Sequence, residues 1–272
     1  MSERGFEVRK VWRQVLSIWG RHIVVFAALS SISYFLLSLL REARKVVAAA
    51  APGAPAGMVA AVLLGLLFVW VAGQGLVILL ILGHYRRLSS AERPVFQASW
   101  SEACRGWARY VVNVLVLLGL GLFFLALSAI LLEAGLRRYV AHQENLTPLI
   151  ATHLAAVIFV IGMAWYGFYF SLAPLVGAYE GSWPAAAFRE SRRRIRGRAL
   201  GYLAALALFI VGYMAAGLAL YYGLIALRAG AGVLAWVDPA MLILFSPLWA
   251  ILWYASYEHL TQLKKESSAA KL

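Results

Sequence analysis

Residues 6–40 read FEVRKVWRQVLSIWGRHIVVFAALSSISYFLLSLL and contain the two elements from which the chain is built. The first part, residues 6–21, mixes cationic and apolar side chains at helical spacing. The second part, residues 22–40, holds no Asp, Glu, Lys or Arg. It is close to the roughly 20 apolar residues that a helix needs to cross a bilayer. The stretch therefore predicts an amphipathic helix that leads directly into a transmembrane helix.

Five further stretches are free of charged residues. They are residues 46–85, 110–132, 145–179, 199–227 and 239–257. The chain of 272 residues is 63% hydrophobic and 14% charged, whereas a soluble domain is roughly a quarter charged. The stretches are too long, and alternate too little, for the strands of a membrane barrel. The sequence predicts an all-α polytopic membrane protein with six transmembrane helices.

A pair made of an aromatic residue and a polar residue recurs every 88 positions. The pairs are Trp12 and Gln14, Trp100 and Glu102, and Phe188 and Glu190. A repeat of this length is one supersecondary unit used three times. Each unit is predicted to be a cytoplasmic interfacial amphipathic helix followed by two spans. Since two spans return the chain to the same side, the three units are parallel and related by rotation about the membrane normal.

The predicted organisation is one membrane domain covering residues 1–272. Repeat 1 covers residues 6–85, repeat 2 residues 94–173 and repeat 3 residues 182–261. Residues 262–272 form a polar C-terminal tail.

The distribution of basic residues predicts the orientation. The net charge is +13, and nineteen of the 25 Lys and Arg residues fall in the first, third, fifth and last of the segments that flank the spans. Basic segments stay in the cytoplasm, so both termini are predicted to be cytoplasmic. We expect a multi-pass protein of the bacterial inner membrane. A nucleic-acid partner is not expected, because no recognition module accompanies the charge.

Three stretches resemble a known family. Residues 6–26 resemble the opening of the six-helix membrane domain attached to some glycerophosphodiester phosphodiesterases, and of YciC-type bacterial membrane proteins. Residues 170–176, FSLAPLV, and 187–192, AFRESR, are similar to the family's apolar-proline segment and Ala-x-x-x-Ser-basic helix. Residues 254–260, YASYEHL, resemble its closing tyrosine-rich helix. The resemblance implies a six-helix membrane domain without the phosphodiesterase catalytic domain, and so implies no enzymatic activity.

A second repeated pattern, Trp-Tyr-x-x-Tyr, marks candidate sites for a lipid or an amphiphile near the cytoplasmic ends of spans four and six. Its residues are Trp165, Tyr166, Tyr169, Trp253, Tyr254 and Tyr257. The alternative is an aromatic belt at the membrane interface, which needs no ligand. Val77 and Ile78 stand where a third copy would begin, so any such site is asymmetric.

Two kinds of residue within the spans carry further hypotheses. Gln74, near the middle of span two, is predicted either to face a lumen or to make an interhelical hydrogen bond. Pro174 and Pro247 are predicted to kink their helices. The two prolines do not occupy equivalent repeat positions, so they are not one feature used twice.

A cluster of arginines precedes the fifth span and is the candidate site for anionic lipid headgroups. Its members are Arg189, Arg192, Arg193, Arg194, Arg196 and Arg198. Each cationic residue near an anionic leaflet contributes on the order of 1 kcal/mol to binding. Retention of this segment in the cytoplasm is the alternative explanation.

Catalytic and metal-binding patterns are not found in the sequence. There is no His-x-x-x-His motif, no Walker motif and no nucleophile elbow, and Cys104 is the single cysteine. No cofactor or metal is expected. An enzyme acting on lipid would need a converging set of carboxylates. The carboxylates near span ends, Glu133, Glu180, Glu190 and Glu258, are predicted to lie on opposite faces of the membrane.

These observations predict a non-enzymatic membrane protein with a role in envelope maintenance. Its expected partners are anionic lipids of the cytoplasmic leaflet or another membrane protein, and its oligomeric state stays open. The alternative is a transporter or a conduit for lipids or amphiphiles, with a cavity between the repeats.

Overall fold

The computed structural model describes residues 6–50, 55–90, 95–141 and 147–269. Within these ranges all regular structure is helical: α1 Val8–Arg21, α2 Ile23–Ala50, α3 Ala56–Ser89, α4 Phe96–Ala141, α5 Thr147–Phe170, α6 Ala173–Glu180, α7 Pro184–Ile195, α8 Ala199–Ala226, α9 Ala231–Leu234 and α10 Val237–Ala269. The start of the predicted domain (residues 1–5), the start of predicted repeat 2 at residue 94, and residues 270–272 of the predicted tail lie outside the described residues.

Six helical stretches are long and apolar enough to cross a membrane. They are Ile23–Ala49, Gly57–Ser89, Phe96–Arg137, Ile150–Glu180, Ala199–Ala226 and Ala231–Glu266. Their length and composition confirm the prediction of an all-helical multi-pass protein with six spans. The fourth span consists of α5 and α6 together, and the sixth contains α9 and most of α10.

Helices α1 and α7 end just before a membrane-spanning helix begins, whereas α4 runs through the corresponding region without a break. Gly20 precedes the end of α1. Gly197 follows α7 with φ of +83°, a conformation in which glycine ends a helix without steric cost. The positions in α4 that lie 88 residues from these glycines are Ala108 and Arg109, both good helix formers. We call the segment that precedes the first span of each predicted repeat its lead-in segment; in predicted repeat 2 this segment is the first part of α4.

The fourth span breaks once, between α5 and α6. Helix α5 ends at Phe170 and α6 begins at Ala173. Pro174 lacks a backbone N–H, and its ring clashes with the carbonyl of the residue four positions earlier, which is Phe170. Pro247, by contrast, lies inside α10, which continues past it. Only the first of the two predicted kinks separates two helices.

The spans form a chain of neighbours that α10 closes. Helix α2 packs on α3, α3 on α4, and α4 on both α5 and α6. Helix α10 packs on α1, α2, α3, α7 and α8, which makes it the most central helix of the described bundle.

Three lead-in segments cover one end of the bundle. Helix α1 packs on α10 and α8, and the backbone N–H of Glu7 donates to His259 Nε2 at 3.1 Å. Residues 96–109 of α4 lie beside the end of α3, and α7 lies against α6 and α5. We call this end the terminal face; it comprises these three segments and the last turns of α3, α6 and α10.

The tightly packed core lies toward the terminal face. Its fully buried large side chains include Val15, Ile81, Leu82, Tyr85, Leu175, Ile251, Leu252 and Leu260. Large apolar side chains are exposed over the outer surface of the spans, among them Phe35, Phe123, Ile158, Val211 and Leu218. An apolar surface of this extent marks contact with a membrane.

Candidate functional site at the terminal face

Arg194 of α7 is the most deeply buried charged side chain in the described chain, with 2% of it exposed. Its guanidinium donates to Glu180 Oε1 at 2.5 Å, to Glu190 Oε1 at 2.8 Å and to Thr261 Oγ1 at 2.7 Å. It also lies 5.0 Å from the centre of the Tyr257 ring. A buried guanidinium with this many partners is fully compensated, so Arg194 joins α6, α7 and α10 at one point.

Glu190 extends this cluster. Its carboxylate accepts from Lys264 Nζ at 2.6 Å and pairs with Arg193 Nη2 at 2.5 Å. Burial by itself would raise the pKa of Glu190, but the hydrogen bonds from Lys264 and Arg194 outweigh burial and hold its pKa below the ordinary value. Burial by itself would lower the pKa of Arg194, but Glu190 and Glu180 outweigh burial and hold this pKa above the ordinary value. Both groups are therefore ionised at neutral pH. We call Arg194, Glu180, Glu190, Tyr257, Thr261 and Lys264 the ionic clamp.

The six predicted headgroup-binding arginines divide into different environments. Arg189, Arg192, Arg193 and Arg196 are exposed. Arg198 is half-buried and donates to the Leu263 carbonyl at 3.4 Å. The guanidinium of Arg194 instead donates its hydrogen bonds to side chains of the protein itself. The exposed members are available to an anionic surface, whereas Arg194 serves to hold α7 on the bundle.

The first copy of the aromatic pattern lies on the outside of α5. The Trp165 side chain is 64% exposed, and its ring lies 4.7 Å from that of Tyr169. Tyr166 packs beside Phe170 at 4.4 Å and lies 6.3 Å from Phe188 of α7. This copy faces the surroundings of the bundle next to α7.

The second copy lies inside the bundle, since α10 is central. Trp253 is half-buried and its ring meets Tyr110 edge-on at 6.3 Å. Tyr254 and Tyr257 are buried, and both pack against Tyr179 of α6, at 5.0 Å and 6.2 Å. The two copies thus share a sequence but not an environment, and the fold does not bring them together as equivalent sites.

Gln74 makes an interhelical contact. Its Nε2 donates to the Ser33 carbonyl of α2 at 3.0 Å. This bond joins the two helices of the first hairpin and corresponds to the hydrogen-bond alternative that the sequence raised for this residue.

Ser191 joins α7 to the fourth span, a role that was not predicted from the sequence. Its hydroxyl is fully buried, with bonds to the backbone of Tyr169 and Leu172. The signal was present in the sequence as helical spacing. Ser191, Arg194 and Ile195 lie four, seven and eight residues after Ala187, which places all four on one helical face, and all four are buried. A basic residue on the buried stripe of a cationic helix indicates an ion pair.

The described residues contain no group of three or more His, Cys, Asp or Glu side chains placed to hold a metal ion. Cys104 is exposed. What the terminal face offers chemically is fixed positive charge beside aromatic side chains, supported by a buried ionic cluster.

No family model, no curated protein and no solved structure matches this chain.

Proposed function

We propose that this protein is a non-enzymatic, multi-pass protein of the bacterial inner membrane whose terminal face contacts anionic lipid headgroups of the cytoplasmic leaflet. Its role is in envelope maintenance, through this lipid contact or through a membrane protein partner. The excess of basic residues on the segments of this face supports a cytoplasmic orientation.

The observation that carries the proposal is the surface of α7. Arg189 and Arg192 are exposed on this helix, and Arg196, directly after it, is exposed as well. Trp183, directly before it, is 60% exposed, and Trp165 beside it is 64% exposed. Exposed tryptophan next to exposed arginine is typical of a helix at the membrane–water interface.

The ionic clamp supports the same proposal by explaining how α7 keeps its position. Arg194 binds Glu180 on the preceding helix, and Glu190 binds Lys264 on α10. Since α7 is held from two sides, its exposed arginines stand at one height relative to the spans. A preorganised cationic surface loses less entropy on binding than a mobile one.

The three-repeat architecture is part of the proposal. Its support is that each lead-in segment packs on the second span of another repeat in cyclic order. Helix α1 packs on α10, the start of α4 on α3, and α7 on α6. One rotation applied three times would produce this order.

A non-enzymatic role is supported by how the carboxylates are used. Glu180 and Glu190 belong to the ionic clamp, and Glu133 pairs with Arg137 at 2.6 Å near the opposite end of α4. Carboxylates held as counterions to arginine are poor proton donors and acceptors for catalysis. Buried apolar side chains such as Ile251 and Leu252 in the core count against the conduit alternative, because they fill the interior near the terminal face.

The lipid contact is tested with the purified full-length chain by native mass spectrometry, titrating phosphatidylglycerol against phosphatidylcholine. At roughly 1 kcal/mol per arginine, the triple variant R189Q/R192Q/R196Q should bind phosphatidylglycerol at least about tenfold more weakly. The matched control is R41Q/R44Q/R228Q, which removes three exposed arginines outside the terminal face. Equal affinity of the two variants for phosphatidylglycerol would refute the proposal.

The envelope role is tested in cells that lack the chain. Detergent sensitivity should rise on deletion and be restored by the wild-type chain or the control triple variant, but not by the α7 triple variant. Full restoration by the α7 triple variant would separate the envelope role from lipid contact. No change in sensitivity on deletion would refute the envelope role itself.

A further inference from the structure

A polar cavity lies where α3 ends and α4 begins. Its volume is about 480 Å³, within the range of small-molecule sites. The lining residues are Arg86, Arg87, Ser90, Ala98, Ser101, Glu102 and Arg105. We call this cavity the arginine cup. It is distinct from the arginine surface of α7, and none of its residues was a predicted site residue.

Close helix packing creates the cup. A Cβ on Gly83 of α3 would lie 3.5 Å from the Ser99 backbone, and one on Gly106 would lie 2.9 Å from the Ala178 carbonyl oxygen. One face of α4 is therefore pressed onto α3 and α6. The adjacent face of α4 faces the basic end of α3. It carries Ala98 and, three, four and seven residues after it, Ser101, Glu102 and Arg105.

The charges of the cup are arranged around one carboxylate. Glu102 forms an ion pair with Arg86, and its other oxygen lies 3.9 Å from Arg87 Nη2. Arg86 also lies 5.9 Å from the centre of the Tyr179 ring, which helps to hold its guanidinium in place. Arg105 adds a third, exposed guanidinium one turn along α4.

Positive charge remains in excess around the cup. Its lining carries three arginines, Arg86, Arg87 and Arg105, and one carboxylate, Glu102. Glu258 of α10 also interacts electrostatically with Arg86 from the interior side. Guanidinium groups present planar forks that match phosphate oxygens, so this excess suits a phosphate better than a halide or a diffuse anion.

An inner chamber of about 150 Å³ continues from the cup. It shares Arg86, Glu102 and Arg105 with the cup and extends to Gly106, Ala178 and Tyr179. At roughly 30 Å³ per water molecule the chamber has room for about five waters. A phosphate group takes up less space than five separate waters, because its five non-hydrogen atoms are joined by covalent bonds, so it fits in the chamber. The wider cup can hold the moiety that carries it.

Glu102 suggests which phosphate is preferred. A carboxylate inside an anion site repels a fully ionised phosphate, but it accepts a hydrogen bond from a protonated phosphate oxygen. A phosphate monoester has a second pKa of about 6 and so retains such a proton in part near neutral pH. A phosphodiester has no ionisable proton left to donate.

We propose that the arginine cup binds a phosphate monoester, with the phosphate between Arg86 and Arg105 and its hydroxyl on Glu102. The inference rests on the proposed function, because a terminal face at the cytoplasmic leaflet would place the cup at headgroup level. The ligand is then a lipid with a terminal phosphate, and a soluble phosphate monoester is the other source of the same chemistry.

The test uses the full-length chain in phosphatidylcholine nanodiscs, labelled with an environment-sensitive fluorophore on Cys104, the single cysteine, which is exposed beside Arg105. Phosphatidic acid is the monoester lipid probe, phosphatidylglycerol the diester probe, and inorganic phosphate the soluble probe. We expect phosphatidic acid to bind at least tenfold more tightly than phosphatidylglycerol. The R105Q variant should lose at least tenfold in affinity for phosphatidic acid.

Two further variants distinguish a failure of the cup proposal from a failure of the proposed function. E102Q should keep binding but reduce the preference for phosphatidic acid over phosphatidylglycerol to less than threefold. R189Q/R192Q/R196Q should keep its affinity for phosphatidic acid within twofold. Suppose that R105Q and E102Q both bind phosphatidic acid with the affinity and preference of the wild type, while R189Q/R192Q/R196Q still binds phosphatidylglycerol more weakly. The cup proposal is then wrong and the proposed function stands. Displacement of phosphatidic acid by an equal concentration of inorganic phosphate would assign the cup to a soluble ligand.

Discussion

The hydroxyl of Ser191 on α7 donates to the backbone carbonyl of Tyr169 on α5 at 2.8 Å. The same hydroxyl accepts the backbone N–H of Leu172 at 3.2 Å. Pro174 interrupts the helical hydrogen-bond ladder at this point, so one side chain satisfies both a donor and an acceptor that the break would leave unpaired. The lead-in helix of one predicted repeat thus completes the second span of the repeat before it.

Removal of the Ser191 hydroxyl should therefore destabilise the fold. We expect S191A to lower the free energy of unfolding by about 2 kcal/mol, since it leaves two buried backbone groups without partners. The measurement is unfolding of the purified chain in detergent. The control is S268A, because Ser268 is exposed and bonds the Lys264 carbonyl at 3.1 Å on the surface of α10. Equal stability of S191A and S268A would show that the bond across the break is dispensable.

Substitution of Arg194 should lower the free energy of unfolding more than S191A does. R194M leaves Glu180 and Glu190 without their buried partner, and such a loss costs about 3 kcal/mol. The neighbouring R192M, at an exposed position, should change stability by less than about 0.5 kcal/mol. The double variant R194M/E180Q should recover part of the loss, because it neutralises one of the two carboxylates. Equal melting temperatures for R194M and R192M would contradict the ionic clamp.

The ionic clamp should make the free energy of unfolding depend on pH in the acid range. The pKa of Glu190 is lowered in the folded chain, so the folded state binds this proton more weakly than the unfolded state. The stability contributed is fully present above the ordinary glutamate pKa of about 4.3 and is lost as the pH falls through the lowered value. Unfolding measured between pH 3 and 7 should show a smaller acid-dependent loss in E190Q, whereas E42Q should follow the wild type. Coincident profiles for wild type and E190Q would disprove the assignment.

Two glycines of α4 should respond to alanine with opposite signs. A Cβ on Gly106 would lie 2.9 Å from the Ala178 carbonyl oxygen, a backbone atom that cannot move aside easily. We expect G106A to destabilise by about 1–3 kcal/mol. A Cβ on Gly119 meets nothing within 4 Å, so G119A should gain about 0.5–1 kcal/mol from helix propensity. If G106A leaves the melting temperature unchanged or raises it, the close approach of α4 and α6 is wrong.

Orientation is testable with single cysteines. Cys104 lies on the terminal face and is exposed, so a membrane-impermeant maleimide should label it in inverted inner-membrane vesicles but not in spheroplasts. In C104S/R228C the cysteine lies between the fifth and sixth spans, and labelling should follow the opposite pattern. The same labelling pattern for both positions would contradict the three crossings expected between them, and with them the proposed topology.

Several features could be predicted from local sequence because they depend on local chemistry. Six uncharged stretches of membrane-spanning length predicted six apolar helices, since backbone groups in lipid must bond within the helix. The break near Pro174 follows from the missing N–H of proline. In α4, Ala108 and Arg109 stand 88 residues from Gly20 and Gly197, and both favour a continuous helix.

Other features could not be predicted, because they depend on which helices become neighbours. Helical spacing places Arg194 on the buried stripe of α7, but its partners Glu180 and Thr261 depend on α6, α7 and α10 meeting around it. The two Trp-Tyr-x-x-Tyr copies looked equivalent in sequence, but α10 is surrounded by helices while the face of α5 that carries Trp165 is exposed. The arginine cup needs the packing of α3 on α4, which no single stretch encodes.

The sequence by itself determined that this chain consists of long apolar helices, how many there are, and that its basic residues collect in alternate connecting segments. These properties follow from the cost of placing charge and unpaired backbone groups in lipid, a cost that each segment meets alone. Tertiary structure alone decided which charges are paired, which aromatic side chains are enclosed and where a cavity remains. Such outcomes depend on side chains from segments far apart in the chain meeting at a few ångströms, where ion pairing and burial act.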